Sequence, residues 1–272
     1  MRVSVVLSED GGADREFSDA LRNKLPVNKF VLTTQLYDGM LGDSDLYIGV
    51  GLKAASELAA RDATTLTVFV PRDGYDQLQH IPIQHKKPSS AVFLDQPLER
   101  QVALLRAALP DIRDVGLLYT APQPELQNLR HLLADQNMRL HDRKIDESQS
   151  LNDALDNLLD VSEVVFVLPD SHIYNAGTIR NILLTAYRRQ VPLIGISRNY
   201  VKAGALCAVF STPDQVADQA AGMIQRYADS GKLPPPQYPA EFRVSVNMQV
   251  ARSLEINIKN AEQLREAIRR TP

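Results

Sequence analysis

Cysteine is almost missing from this chain. Cys207 is the only one in 272 residues, which excludes an internal disulfide and a cysteine-rich zinc site. Long apolar runs are missing too: none approaches the roughly 20 residues that a membrane-spanning helix needs. Neither sign of charge dominates. Thirty Lys and Arg face 33 Asp and Glu, a net charge of −3 with the signs interspersed, so nothing favours nucleic acid or a membrane surface. No Walker A sequence, H-E-x-x-H helix or G-x-S-x-G elbow is present, and nucleophilic or metal catalysis has no visible apparatus. The amino terminus carries no signal segment either, since Arg2 to Leu7 (RVSVVL) is too short and reads as a first strand. That leaves a cytosolic chain or an exported one supplied without its leader.

What is present is an alternation of strands and helices. The length is too great for most single cores and suits two lobes, and the composition, 44% hydrophobic and 23% charged, is that of a soluble globular protein. Val3 to Leu7, Phe30 to Thr34, Leu46 to Val50, Leu66 to Val70 and Ala91 to Leu94 read as strands. Between them lie a helix with Phe17, Leu21 and Leu25 on one face, a short one with Ala55, Leu58 and Ala59, and an irregular stretch from Arg72 to Ser90 containing a helix turn and the basic step Lys86-Lys87. Pro97 opens a helix at its first position, with a stripe of Leu98, Val102, Leu105 and Leu109. A second series follows: strand Val115 to Tyr119, helix through Leu126, Leu129 and Leu133, strand Arg139 to Ile145, and a helix for which Ser150 and Asp153 suggest a capping box. Such a series predicts parallel sheets with right-handed crossovers.

The stretch Val161 to Ser211 organises the rest. Val164 to Leu168 and Leu193 to Ile196 are continuous apolar runs, as expected of strands covered on both faces, and Ile179, Ile182, Leu183 and Ala186 supply a helix between them. Asp170, Ser171, Ser197, Arg198 and Asn199 therefore follow the carboxyl ends of two strands, where open α/β sheets bind ligands. Thr212-Pro213-Asp214-Gln215 reads as a capped helix start, and that helix ends at Gly231. A proline linker, a strand from Phe242 to Val246 and a helical tail from Ala261 close the chain.

VKAGAL (Val201 to Leu206), DQVADQAAGMI (Asp214 to Ile224), the proline linker and VSVNMQVARSLEINI (Val244 to Ile258) resemble the bacterial ABC transporter substrate-binding proteins of type I periplasmic-binding fold, the group that includes aromatic amino-acid binders. QVALLRAALPDIRDVGLLYTAPQPE (Gln101 to Glu125), VFVLPDSHI and the PLIGIS strand extend the resemblance upstream; the residues before Ser90 match in plan only. The resemblance implies an α/β chain of two Rossmann-like lobes with parallel sheets joined by a hinge, 1–93 with 211–240 and 94–210 with 241–272, closing on a small solute. Phe210 and Ser211 would lie on a strand that crosses between lobes. It implies a monomer outside the cytoplasm that serves an ABC permease in the membrane, with no enzymatic activity, no cofactor and no nucleic-acid partner. A ligand-sensing domain of the same fold, feeding a signalling partner, is the alternative. Carried over, the ligand-binding positions are Ser8, Glu9, Gly51, Leu52, Lys53, Ala54, Pro71, Arg72 and Asp73 on the first lobe. On the second they are Tyr119, Thr120, Asp170, Ser171, Ser197, Arg198 and Asn199.

Two departures move the expected site toward basic. Amino-acid-binding members usually carry an acidic residue where this chain has Ser197-Arg198-Asn199, and their threonine-aspartate-proline signature is replaced by Val70-Pro71-Arg72-Asp73. An anionic solute, gripped by the Arg72 and Arg198 guanidiniums, is the expectation. Each residue also has a plainer role: Asp170 as a turn former, Arg198 as a surface arginine, Tyr119 as packing, Glu9 as a solvated loop residue, Cys207 as a small buried hydrophobe. His172 stands without a second histidine and makes no metal site. Gly49-x-Gly51-x-x-Ala54 is the one competing motif, a dinucleotide-type turn, but it follows the third strand and not the first.

Overall fold

A computed structural model describes residues 1–82, 87–121, 125–146 and 150–270. Lys86 of the basic step and residues 122–124 of the quoted upstream stretch lie outside the described residues. Along the chain the elements are β1 (Arg2–Leu7), α1 (Gly12–Lys24), β2 (Val31–Leu36), β3 (Leu46–Val50), α2 (Gly51–Ala59), β4 (Thr65–Val68), α3 (Arg72–Leu78) and β5 (Ser89–Val92). Then come α4 (Leu98–Ala108), β6 (Asp114–Tyr119), α5 (Leu126–Asp135), β7 (Arg139–Lys144), α6 (Leu151–Leu159), β8 (Val164–Phe166), α7 (Ile179–Arg188) and β9 (Leu193–Gly195). The last are α8 (Arg198–Ala203), β10 (Cys207–Phe210), α9 (Pro213–Ser230), β11 (Arg243–Val246), α10 (Met248–Ser253) and α11 (Ala261–Arg270).

Two compact units result: Met1–Gln96 with Ser211–Phe242, and Pro97–Phe210 with Arg243–Pro272. In the first, five parallel strands run in the order β2-β1-β3-β4-β5. Strands buried on both faces must be apolar throughout, and β1 buries every residue from Val3 to Leu7. One face is covered by α1 and α9: Phe17 and Leu21 from the former and Val216, Ala220, Met223 and Ile224 from the latter join Val3, Val5 and Leu7 in one core. Ala54 and Leu58 of α2 cover Val6 on the other face. Tyr75 and Leu78 of α3 pack with Val70, Ala91 and Phe93.

The second unit repeats the plan with an added strand. Its order is β11-β10-β9-β8-β6-β7, parallel except for the antiparallel pair β10–β11. Leu155 and Leu158 of α6 and Ile182, Leu183 and Ala186 of α7 form a core with Leu118, Val165 and Leu193, while α4 packs against α5, α11 and β10.

Helix α9 is well specified locally. Thr212 accepts from the Gln215 N–H and the Gln215 side chain takes the Thr212 N–H, a complete capping box, and Gly231 ends the helix in the left-handed region. The box expected at Ser150 does not form: Ser150 is the N-cap of α6, yet no side-chain hydrogen bond closes it. Asp153 is one methylene shorter than the Glu or Gln that reaches back in such a box. Pro97 stands at the N-cap of α4, one place before the expected position. Strand β4 stops two residues early, where Phe69 turns to φ 58° and lays its ring edge-on to Phe17, 5.6 Å between centroids. Two six-residue helices, α8 and α10, go beyond the sequence reading.

Candidate functional site

In a doubly wound sheet the strand order reverses at one place, and the loops at the carboxyl ends of the two strands flanking it form a crevice. The first unit reverses between β1 and β3, the second between β6 and β8. Of the predicted site residues, Ser8, Glu9 and Gly51 to Ala54 lie at the first reversal and Tyr119, Thr120, Asp170 and Ser171 at the second, whereas Pro71, Arg72 and Asp73 follow β4 and Ser197, Arg198 and Asn199 follow β9, each one strand further on.

In the first unit, Ser8 follows β1 and Gly51 follows β3. The Ser8 hydroxyl donates to Val50 O (2.6 Å) and accepts from the Ala54 N–H (3.0 Å), so it pins the start of α2 to β1. Gly51 has φ +81°, and a Cβ there would lie 2.7 Å from Ser8 Oγ. Only glycine suits both the dihedral and the space. At the dinucleotide-type motif the room beside Gly51 is taken by Ser8, and the Gly49 position is pressed by Ala55 and Leu58 of the following helix. Leu52 and Lys53 are exposed. The Glu9 carboxylate is exposed as well, and its backbone N–H donates to Asp14 (3.1 Å). Asp14, in the first turn of α1, was not foreseen. Burial raises its pKa, opposed by that hydrogen bond. A turn of Gly11-Gly12 followed by an acid in the first helical turn is the signal that could have found it.

The loop after β4 brings Pro71, Arg72 and Asp73 beside this cluster through Leu52, whose Cδ1 would lie 3.6 Å from a Cβ at Gly74. The Arg72 side chain is half-exposed and already has partners within its own unit. Its guanidinium donates to the Tyr238 hydroxyl (3.3 Å), lies over the Tyr238 ring (5.9 Å) and pairs with Asp76 (3.8 Å). The aromatic stack of Tyr75, Phe93 and Tyr238 beneath it fixes that position. Asp73 is half-buried, and burial raises its pKa, with Asp76 adding to the effect.

In the second unit the reversal is bridged by one carboxylate. The Asp170 side chain, 5% exposed, takes both the backbone N–H and the hydroxyl of Thr120 on Oδ2, each at 2.8 Å, and the His172 N–H on Oδ1 at 3.0 Å. Thr120 and Asp170 therefore satisfy each other, and the turn-former reading of Asp170 fits the structure: Ile173 and Tyr174 N–H both donate to its carbonyl. Tyr119 points elsewhere. Its hydroxyl donates to Asp142 on β7 (3.2 Å), which Arg130 also binds, and burial raises its pKa.

Ser171 is exposed, as are Arg198 and Asn199 at the first turn of α8. Ser197 is the N-cap of that helix without a side-chain bond to it. Gly195 lets α8 come close, since a Cβ there would meet Tyr200 Cβ at 2.6 Å, and the Tyr200 hydroxyl donates to Tyr174 O (3.2 Å), joining the loops after β8 and β9. Arg198 forms no ion pair with any described residue. Cys207 is fully buried, and burial pushes its thiol up to about 12. Among the described residues no group of His, Cys, Asp and Glu could hold a metal ion, and no helix is long and apolar enough to cross a membrane.

Residues 78–268 match the model of a family described as ABC transporter substrate binding protein. The chain belongs to that family. It is a solute-binding family whose members work with membrane permeases. Solved structures agree on the type I periplasmic-binding fold. A conserved domain protein from Vibrio cholerae O1 biovar El Tor is similar at 18% identity and a TM-score of 0.68, over 99% of this chain and 97% of that one. An ABC domain from Streptococcus pneumonia in complex with L-Trp is similar at 14% identity and 0.71, over 97% of both chains. A substrate binding protein with adhesive properties from Clostridium difficile, ligand-free and open, gives 14% and 0.70, over 96% of this chain and 97% of that one. Comparison with curated proteins finds no match.

Proposed function

We propose that this substrate-binding protein serves an ABC importer outside the cytoplasm and takes up a small solute that bears an anionic group. The observation that carries the charge of the solute is Arg198. It stands exposed at the carboxyl end of β9, one strand beyond the reversal between β6 and β8, without an ion pair among the described residues. Ser197 and Asn199 flank it, and the exposed Ser171 follows the neighbouring strand. A guanidinium offers a planar fork of donors that matches a carboxylate or phosphate, and the hydroxyls and amide beside it would take the remaining oxygens. Arg72, engaged with Tyr238 and Asp76, is not part of this grip.

The test is a metabolite panel read by thermal shift, followed by titration of the solute it finds. L-Trp, which the streptococcal structure holds, carries a carboxylate and belongs on the panel. A solute at about 100 times its Kd stabilises the protein by roughly 2.7 kcal/mol, a shift of several degrees for a chain of this size. Arg198→Ala then weakens binding about ten- to over a hundredfold, from a charge-assisted hydrogen bond of roughly 1.5–3 kcal/mol, and Arg198→Lys falls between. Binding within twofold of wild type in both variants defeats the anionic reading. Failure of the same solute to be taken up through an ABC permease defeats the importer reading.

A further inference from the structure

The chain passes between its two units three times: after Gln96, after Phe210 and after Phe242. On the side of the first unit, residues next to these crossings are joined through one hydroxyl. Gln96 Nε2 donates to Ser211 Oγ (3.0 Å), and Ser211 Oγ donates to Glu241 O (2.6 Å). Gln96 is the last residue of the first unit before the first crossing, Ser211 the first after the second, and Glu241 the last but one before the third. A hydroxyl has one proton to give and lone pairs to accept with, and Ser211 uses both. Gln96 is only 4% exposed, and a buried amide is normally paired, which fixes this side chain toward Ser211. Backbone bonds tie the same segments in pairs. Phe210 and Arg243 end the antiparallel ladder of β10 with β11, and farther back the Phe93 N–H donates to Gln237 O and the Gln237 N–H to Ala91 O. Ser211 is where all three meet.

We propose that Ser211 clasps the three crossings into one pivot, so that the hinge turns about a single axis and not segment by segment. A hinge is a few loop or element-terminal residues that absorb a change of backbone angles. Three separate segments can absorb it independently, each in its own direction. Segments bonded to one another next to the crossings must turn together. A pivot restricted in advance also leaves less freedom to be lost when a solute is bound. Ser211 and Gln96 are thus positioning residues: they touch no solute, and they set the path along which the units move. The clasp does not depend on the nature of the solute or on the partner that receives it.

The experiment needs no solute. Cys207 is fully buried, so cysteines introduced at exposed Asp19 in α1 and exposed Leu184 in α7 take a pair of spin labels. Double electron–electron resonance then gives the distribution of distances between them in four proteins: the parent, Ser211→Ala, Ser211→Thr and Gln96→Met. Ser211→Ala removes both bonds and is expected to widen the distribution while far-UV circular dichroism stays unchanged. Amide exchange at residues 208–213 and 240–243 quickens about two- to tenfold, the equivalent of one hydrogen bond. Ser211→Thr keeps the hydroxyl and restores the parent width. Gln96→Met frees one crossing alone and falls between. A Ser211→Ala distribution as narrow as the parent's overturns the proposal, as does a Ser211→Thr distribution as wide as that of Ser211→Ala. Should Ser211→Ala fail to fold, Gln96→Met decides, and an unchanged width there overturns it.

Discussion

Thr120 gives both its backbone N–H and its hydroxyl to one carboxylate oxygen of Asp170, 50 residues away in sequence. The pair closes the strand-order reversal of the second sheet from within. The carboxylate that the sequence offered as a solute contact braces the loops after β6 and β8.

Asp170→Ala leaves the Thr120 N–H without its partner in a nearly buried setting. The expected cost is about 1–3 kcal/mol or somewhat more for a charged acceptor, and Thr120→Val, which loses only the hydroxyl bond, costs about 0.5–1.5 kcal/mol. Urea unfolding of the two variants measures both. An Asp170→Ala variant as stable as wild type would show that the brace carries no stability.

Ser8 and Gly51 are predicted to be coupled. Gly51→Ala puts a Cβ at φ +81° and 2.7 Å from Ser8 Oγ, at an expected cost of about 1–3 kcal/mol for the backbone conformation alone. In a Ser8→Ala background the hydroxyl is gone and the same change costs less. A coupling of at least about 0.5 kcal/mol in the double-mutant cycle is expected. Equal costs in both backgrounds would leave the dihedral as the whole explanation.

Asp73 gives a pH-dependent test. Its folded-state pKa is raised, first by burial and then by Asp76, so the fold prefers the protonated acid. The resulting destabilisation is absent below the ordinary carboxylate pKa of about 3.9. It grows as pH rises through that value and is complete above the raised one. Asp73→Asn removes it: the variant melts higher than wild type at pH 7 and equally at pH 3. A lower melting temperature at neutral pH would mean that the carboxylate is stabilised by a partner.

The sheets were largely legible because strands buried on both faces write continuous apolar runs, as in Val3 to Leu7. Helix α9 was legible for a different reason, since Thr212, Pro213, Gln215 and Gly231 mark both of its ends. Helices α8 and α10 each bury one residue, Val201 and Ala251, and one residue has no period. The capping at Asn247, which accepts from the Gln249 and Val250 N–H groups, was the remaining trace of α10. At the candidate site, residue types marked the loops after the strands but not the hydrogen-bond partners within them. The Ser8–Ala54 and Thr120–Asp170 bonds span 46 and 50 residues, and only the strand order brings them together. The partner of Arg72 was hidden for the same reason: Tyr238, 166 residues on, takes a hydrogen bond from its guanidinium.

Neither unit is a continuous stretch of chain. The first sheet is complete in strands by Val92, yet one of its faces waits for Val216 to Ile224 of α9. The second waits for β11 and α11, at the very end. During synthesis a half-made chain therefore holds a sheet with an uncovered apolar face and cannot settle into a stable body until nearly all of it exists. No single cut frees a folded unit.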